Sequence, residues 1–341
     1  MRDVGRTLVT AVERVEGMTA GAAAEPQVEA PASPGGHGSS ARARPRRRTG
    51  RDPRTQVLGD LYPFASHYVE LGGPRMHYLD EGDGPPLVLL HGNPTWSFYY
   101  RALVMGLRDR YRVIVPDHIG CGLSDKPVDY PYTLSTHVAN LEKLIESLEL
   151  GEVTLGMHDW GGPIGLGWAA RHVEQARRFV LFNTAAFLGG RLPRRIAMCR
   201  PAVVGEVLVQ GLNAFVRGSF LFGSVRRLAR DVRRGYLLPY DSIGHRVGLL
   251  RFVRDIPVDE GVPSYAAMRQ IESALPALRD RPVVLFWGMR DFCFNERFLH
   301  QWMLRLPRAS VHCYADAGHY VVEDAHERIL PELASFLEET A

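Results

Sequence analysis

Three short stretches carry the side chains best suited to chemistry. Met157-His158-Asp159-Trp160-Gly161 sets a carboxylate at the end of an apolar run and just before Gly161-Gly162-Pro163, the pattern of a strand turning sharply into a helix. Such a turn lifts its central side chain above the sheet, where it is free to attack a substrate. That side chain is Asp159, and no Gly-x-Ser-x-Gly occurs anywhere in the chain. Further on, Trp287-Gly288-Met289-Arg290-Asp291 and Asp316-Ala317-Gly318-His319 each follow a short apolar run. His319 is placed to act as general base, and Asp291 to hold its ring and balance its imidazolium charge. Asp159 by itself also admits a plainer reading as an ordinary helix cap. Nucleophile, acid and base in that chain order weigh against the plainer reading.

A carboxylate nucleophile implies a particular kind of reaction. A serine displacing a group from a saturated carbon would leave an ether that water does not readily cleave, whereas a carboxylate leaves an ester. A water activated by His319 then attacks the enzyme's own carbonyl carbon and frees Asp159. Asp159 must stay ionised in an apolar pocket, and a seat at a helix N-terminus helps by up to ~2 kcal/mol. The other half of the site is expected at His91-Gly92-Asn93-Pro94-Thr95-Trp96. Backbone N–H groups of Asn93 and Trp160 would form an oxyanion hole, where each donor is worth about 3–4 kcal/mol of barrier. The Asn93 amide and the Trp160 indole are uncharged donors suited to a soft leaving anion such as halide. His91 and His158 read as structural residues of their turns.

The elements that must position these groups follow from periodicity. Residues 67–71 and 76–79, joined through Gly72-Gly73-Pro74, read as a hairpin. Apolar runs at 86–91, 111–116, 152–158, 179–182, 283–287 and 311–314 read as strands, the central ones buried on both faces. Helices are expected at 96–107, at 134–150 with Val138, Leu141, Leu144, Ile145 and Leu148 on one face, and from Gly161 to about His172. Strands alternating with helices predict a mostly parallel sheet with helices on both faces. From 184 to 264 the strands stop and helical spacing continues, so this stretch reads as a helical cap inserted into a core of residues 60–183 and 265–341. Phe187, Leu188, Phe215, Phe220 and Leu221 are candidates to line a pocket there, with core packing the alternative for each.

Residues 1–55 hold ten Arg and six acidic residues among Ala, Gly, Pro and Ser, leaving 31 basic and 32 acidic residues in the remainder. The first segment reads as a disordered tail. The near-neutral remainder offers no phosphate-binding surface, so nucleic acid is not an expected partner. Cys121, Cys199, Cys293 and Cys313 are too scattered for a disulfide framework or a zinc site. No run of ~20 apolar residues marks a membrane span, and the N-terminus has no apolar core before a cleavage site. A cytoplasmic enzyme without metal or cofactor is the expectation, with a small apolar substrate and water as its partners.

The motifs His91-Gly92-Asn93-Pro94-Thr95-Trp96, His158-Asp159-Trp160-Gly161-Gly162 and Asp316-Ala317-Gly318-His319 together resemble the haloalkane dehalogenases over roughly residues 60–340. The resemblance implies the α/β-hydrolase fold, an eight-stranded, mostly parallel sheet with an inserted helical cap. It implies Asp159 as nucleophile, His319 as base, Asp291 as acid, and Asn93 with Trp160 as halide holders. One branch of that family takes its acid after the strand before the cap; the matching position here is Asn183, which cannot serve, so the pattern resembles the third subfamily. That subfamily also resembles the β-lactone decarboxylases of long-chain olefin synthesis. Leu181-Phe182-Asn183-Thr184-Ala185-Ala186-Phe187 and Trp287 to Phe294, with Asp291-Phe292-Cys293-Phe294, are similar to theirs. The Asn93–Trp160 pair favours cleavage of carbon–halogen bonds. The alternative is opening of a strained lactone to CO₂ and an alkene, and this would imply a complex with other enzymes of that pathway. An epoxide hydrolase drawing acidic donors from Tyr236, Tyr240 or Tyr265 is a weaker rival, and a non-catalytic receptor weaker still.

Overall fold

The computed structural model describes residues 50–341. The expected tail of residues 1–55 therefore lies outside the described residues up to position 49. Its last positions are ordered differently from the expectation: Asp52 accepts a hydrogen bond from the Arg54 N–H at 2.9 Å and caps a 3₁₀ turn, Pro53–Leu61, that opens with proline.

The strands and helices then alternate as β1 (His67–Glu70), β2 (Arg75–Glu81), β3 (Pro86–Leu90), α1 (Arg101–Leu107), β4 (Arg112–Pro116), α2 (Leu134–Ser147), β5 (Val153–Asp159), α3 (Gly161–Ala169) and β6 (Ala176–Thr184). Short helices follow: α4 (Arg194–Ala197), α5 (Ala202–Gly205), α6 (Ala214–Phe222), α7 (Arg230–Leu237) and α8 (Val247–Arg254), then α9 (Ser264–Ala274). The chain returns to the sheet through β7 (Val283–Gly288), α10 (Glu296–Arg305), β8 (Ser310–Tyr314) and α11 (Val321–Glu339). The sheet has eight strands in the order β1-β2-β4-β3-β5-β6-β7-β8, with β2 antiparallel to both its neighbours and the rest parallel. Leu87–Leu90, Val153–Met157 and the whole of β7 are buried because helices cover both faces.

Several boundaries differ from the sequence expectation. β6 starts at Ala176, not at Phe179, because Arg178 interrupts the apolar run yet is buried. Its guanidinium donates to the Leu337 carbonyl and to Thr154 Oγ1. The helical stretch after β6 continues past 264 through α9 and a 3₁₀ turn to Leu278. The expected helix at 96–107 begins as a 3₁₀ turn, Ser97–Tyr100, before α1. No described helix is long and apolar enough to cross a membrane.

This strand order decides where a site forms. After β3 the chain crosses to β4 on one side, and after β4 it returns to β5 on the other. The carboxyl ends of β3 and β5 therefore border a crevice that no connection closes. His91–Trp96 leaves one edge of that crevice and Asp159 ends the other.

Candidate active site

Asp159 sits at the sharp turn between β5 and α3 with φ +49°, a left-handed conformation that costs a non-glycine residue about 1–2 kcal/mol. The surrounding sequence accommodates that turn. A Cβ on Gly161 would overlap the Leu90 carbonyl, and one on Gly162 would overlap Thr184 Oγ1. The same Thr184 hydroxyl donates to the Asp159 carbonyl at 2.6 Å, pinning the turn to β6. Gly92 is required on the opposite side, since a Cβ there would lie 2.6 Å from Asp159 Cγ.

The two carboxylate oxygens of Asp159 face different groups. Oδ1 accepts from the Asn93 backbone N–H at 2.9 Å, and the Trp160 backbone N–H also bonds the carboxylate. Oδ2 lies 3.7 Å from His319 Nε2. Behind it, His319 Nδ1 donates to Asp291 Oδ2 at 2.9 Å, while Asp291 Oδ1 accepts from the Cys293 N–H at 2.6 Å. Burial raises the pKa of Asp159, and the nearby His319 and the two backbone donors only partly offset it. Burial acts the other way on His319, disfavouring the imidazolium, but Asp291 and then Asp159 outweigh it and raise its pKa. The structure thus brings Asp159, His319 and Asp291 into one connected row.

The expected leaving-group donors are less alike than the sequence implied. The Trp160 indole N–H makes no hydrogen bond to the described residues and borders a cavity. Asn93 Nδ2 instead donates to the Leu249 carbonyl of α8 at 3.1 Å, and its Oδ1 is buried without a partner. Asn183 ties β6 to β7 through both its amide atoms, accepting from the Gly288 N–H at 2.8 Å and donating to the Gly288 carbonyl at 3.1 Å. His91 donates to the Gly92 carbonyl and accepts from the His118 N–H, and His158 donates to the His319 carbonyl at 2.8 Å. Both are framework residues; burial holds the His158 ring far below the usual imidazole range, so it stays neutral.

Sequence reasoning missed Asp324, which is fully buried near the start of α11. Its carboxylate accepts from the backbone N–H groups of Gly318, Val225 and Arg226 and from the Ser224 hydroxyl. One carboxylate thereby binds the loop carrying His319 to the segment after α6. The only sequence signal was an acidic residue in the first turn of a helix, which is too common to single out.

Two apolar cavities meet at Asp159. The larger, about 420 Å³, is bordered by Trp160, Phe187, Leu188, Met268 and Phe298. The smaller, about 230 Å³, is bordered by Asn93, Phe215, Gly218, Phe222 and His319. Of the cap candidates, Phe187, Leu188 and Phe215 therefore line cavities. Phe220 packs instead on Tyr236, with ring centroids 6.1 Å apart, and Leu221 is 75% exposed. No described group of three or more His, Cys, Asp or Glu is arranged to hold a metal ion.

Residues 85–325 match a family profile described as the alpha/beta hydrolase fold. The chain belongs to the α/β-hydrolase family. It is 44% identical to a cis-3-alkyl-4-alkyloxetan-2-one decarboxylase of Shewanella oneidensis, over 83% of this chain and 92% of that protein. Identity to the Xanthomonas campestris protein of the same name is 46%, over 78% and 93%. Haloalkane dehalogenase 2 of Mycobacterium tuberculosis is 32% identical over 79% and 93%. Among solved structures, the haloalkane dehalogenase DatA from Agrobacterium tumefaciens superposes with a TM-score of 0.75 at 28% identity, covering 84% of this chain and 99% of that one. This α/β-hydrolase is thus an enzyme of the group that joins haloalkane dehalogenases and β-lactone decarboxylases. Within that group the relatives weigh toward the lactone decarboxylases, reversing the preference that the Asn93–Trp160 pair suggested.

Proposed function

We propose that this α/β-hydrolase is a decarboxylase of cis-3,4-dialkyl β-lactones, with Asp159 as nucleophile. The observation that carries the choice is the 44–46% identity to two decarboxylases of that name, against 32–37% to haloalkane dehalogenases of similar coverage. Asp159 Oδ2 attacks the ring carbon that bears the ring oxygen, in line with the C–O bond. The pair from that bond leaves as a carboxylate, and an alkyl ester of Asp159 is formed. The substrate carboxylate then lies anti to the new C–O bond. Its C–C electron pair becomes the alkene, CO₂ departs, and Asp159 recovers its own pair. Inversion followed by anti expulsion turns a cis lactone into a cis alkene, and no water is consumed.

Each group has a task in this sequence. The Asn93 N–H on Oδ1, with the Trp160 N–H that also bonds this carboxyl group, polarises the ester carbonyl and eases departure of the carboxylate. His319, whose imidazolium form Asp291 favours, stands beside Oδ2, and in that form it stabilises the anion as it is expelled. In a dehalogenase the same imidazole would have to be neutral to activate water. The unpartnered Trp160 N–H favours that second reading, since it is a free donor at the cavity edge. Tyr265 borders the larger cavity, but the Tyr236 and Tyr240 hydroxyls donate to Glu323 and to the Thr95 carbonyl rather than into it, which weighs against an epoxide hydrolase using a pair of such donors.

The test is to supply purified enzyme with a cis-dialkyl β-lactone and, separately, with 1-iodobutane or 1,2-dibromoethane. The proposal expects CO₂ and cis-alkene in equal amounts from the lactone and far slower halide release. Efficient halide release without alkene formation would transfer the assignment to the second reading.

A further inference from the structure

We infer that the site receives a two-armed substrate with one apolar arm in each of the two cavities that meet at Asp159. This rests on the lactone reading and extends it to how the substrate is held. Two segments of chain build the partition between the cavities, and each crosses from one cavity to the other. In the first, Phe292 borders the smaller cavity, Cys293 borders both, and Phe294 borders the larger. In the second, Pro193 borders the larger cavity, Ile196 both, and Met198 the smaller. Asp159 is the third residue bordering both.

The partition is anchored to the machinery it divides. Cys293 N–H donates to Asp291 Oδ1, so the loop that presents the acid also carries the dividing wall. Ile196 belongs to α4 of the helical insertion and borders both cavities. A linear haloalkane bonded to Asp159 extends one chain from the reacting carbon and leaves the other cavity without a tenant. A cis-3,4-dialkyl lactone carries arms on adjacent carbons. With its reacting carbon at Oδ2 the two chains must diverge, which is what two apolar recesses on either side of one carboxylate accommodate. Their unequal volumes, about 420 and 230 Å³, mean that the arms are not interchangeable and that the larger cavity takes the longer one.

The test blocks one cavity at a time. Gly218→Phe fills the smaller; a Cβ at Gly218 meets nothing nearer than Phe222 at 4.0 Å, so the side chain is not forced against backbone. Met268→Trp fills the larger. Each variant and the wild type are assayed on two cis-lactones, one with a long arm at C3 and methyl at C4, the other with the positions exchanged. A single misfit methylene in an apolar pocket is worth about 10- to 200-fold. Gly218→Phe should therefore cut kcat/KM at least 10-fold for one lactone and little for the other, and Met268→Trp should do the reverse. Phe298→Ala, which enlarges the larger cavity, should lengthen the arm tolerated on the lactone that Met268→Trp penalises. Should a blocking variant also lose activity on cis-3,4-dimethyl β-lactone, whose arms are too short to reach either block, Ala214→Phe for the smaller cavity and Leu188→Trp for the larger replace it. If wild type releases CO₂ but both cavities govern the same arm, the two-arm inference fails and the lactone reading stands. If wild type releases no CO₂ from any lactone, both fall.

Discussion

Replacing Gly92 with Ala is the sharpest probe of how Asp159 is positioned. The backbone of Gly92 is not left-handed, so alanine meets no conformational strain there. The added Cβ, however, would lie 2.6 Å from Asp159 Cγ and overlap Asp159 Cβ and Oδ1. Carbon atoms in contact rest about 3.5–4.0 Å apart, so the carboxylate must retreat by roughly 1 Å. That movement takes Oδ1 off the Asn93 N–H and shifts Oδ2 relative to His319. A misplacement of about 1 Å in a reacting group costs on the order of 10²-fold, or about 2.7 kcal/mol of barrier. The assay is alkene formed per unit time by gas chromatography, alongside a thermal melt. Gly92→Ala should melt as a folded protein, with kcat reduced about 100-fold and KM changed much less. A folded variant retaining activity within about threefold of wild type would show that this carboxylate does not do the chemistry.

Other consequences follow from the charges and hydrogen bonds at the site. His319 has a raised pKa, so its imidazolium persists above the ordinary range. Breakdown of the enzyme ester in single-turnover experiments should therefore slow as pH rises through that pKa, whereas a water-activating imidazole would make it faster. Asp159 is a buried carboxylate with a raised pKa, so its ionised form is a burden on the fold that is absent below the unfolded-state pKa and fully present once pH passes the folded one. Asp159→Asn should then be inactive yet melt higher than wild type at neutral pH, the gain shrinking as the pH is lowered. Asn also tolerates the left-handed turn. Asp324→Ala strips partners from three backbone N–H groups. Each buried unsatisfied donor costs about 1–3 kcal/mol, so chemical denaturation should show a loss of ~3 kcal/mol or more, with kcat falling further than KM rises.

The parts legible in the sequence were those governed by local pattern. Strand β3 was expected at 86–91 and runs Pro86–Leu90; strand β5 was expected at 152–158 and runs Val153–Asp159. Continuous apolar runs bounded by Gly and Pro leave little choice. The turns carrying Asp159, Asp291 and His319 were legible for a related reason: Asp159 ends such a run, and Asp291 and His319 stand three and five residues beyond theirs. What the sequence left open depends on residues far apart in the chain. Asn93 reads as a free donor until Leu249, 156 positions later, supplies a carbonyl to its amide. Asp324 looks like any first-turn acid until Gly318 and Val225 converge on it. Arg178 disguised the start of β6 because its partners lie on β5 and at the C-terminal end of α11. The cavities could not be read at all, since Phe215 borders one while Leu221, on the same helix, faces solvent.

The most direct measurement is the mass of His319→Gln protein quenched during reaction with a cis-dialkyl β-lactone, followed by peptide mapping. Without the imidazolium beside Oδ2, expulsion of the carboxylate should stall. The peptide containing Asp159 should then gain the full mass of the lactone, because ring opening removes no atoms. An unmodified Asp159 peptide in a variant that still turns the lactone over, or alkene formation that survives Asp159→Asn, would contradict the account.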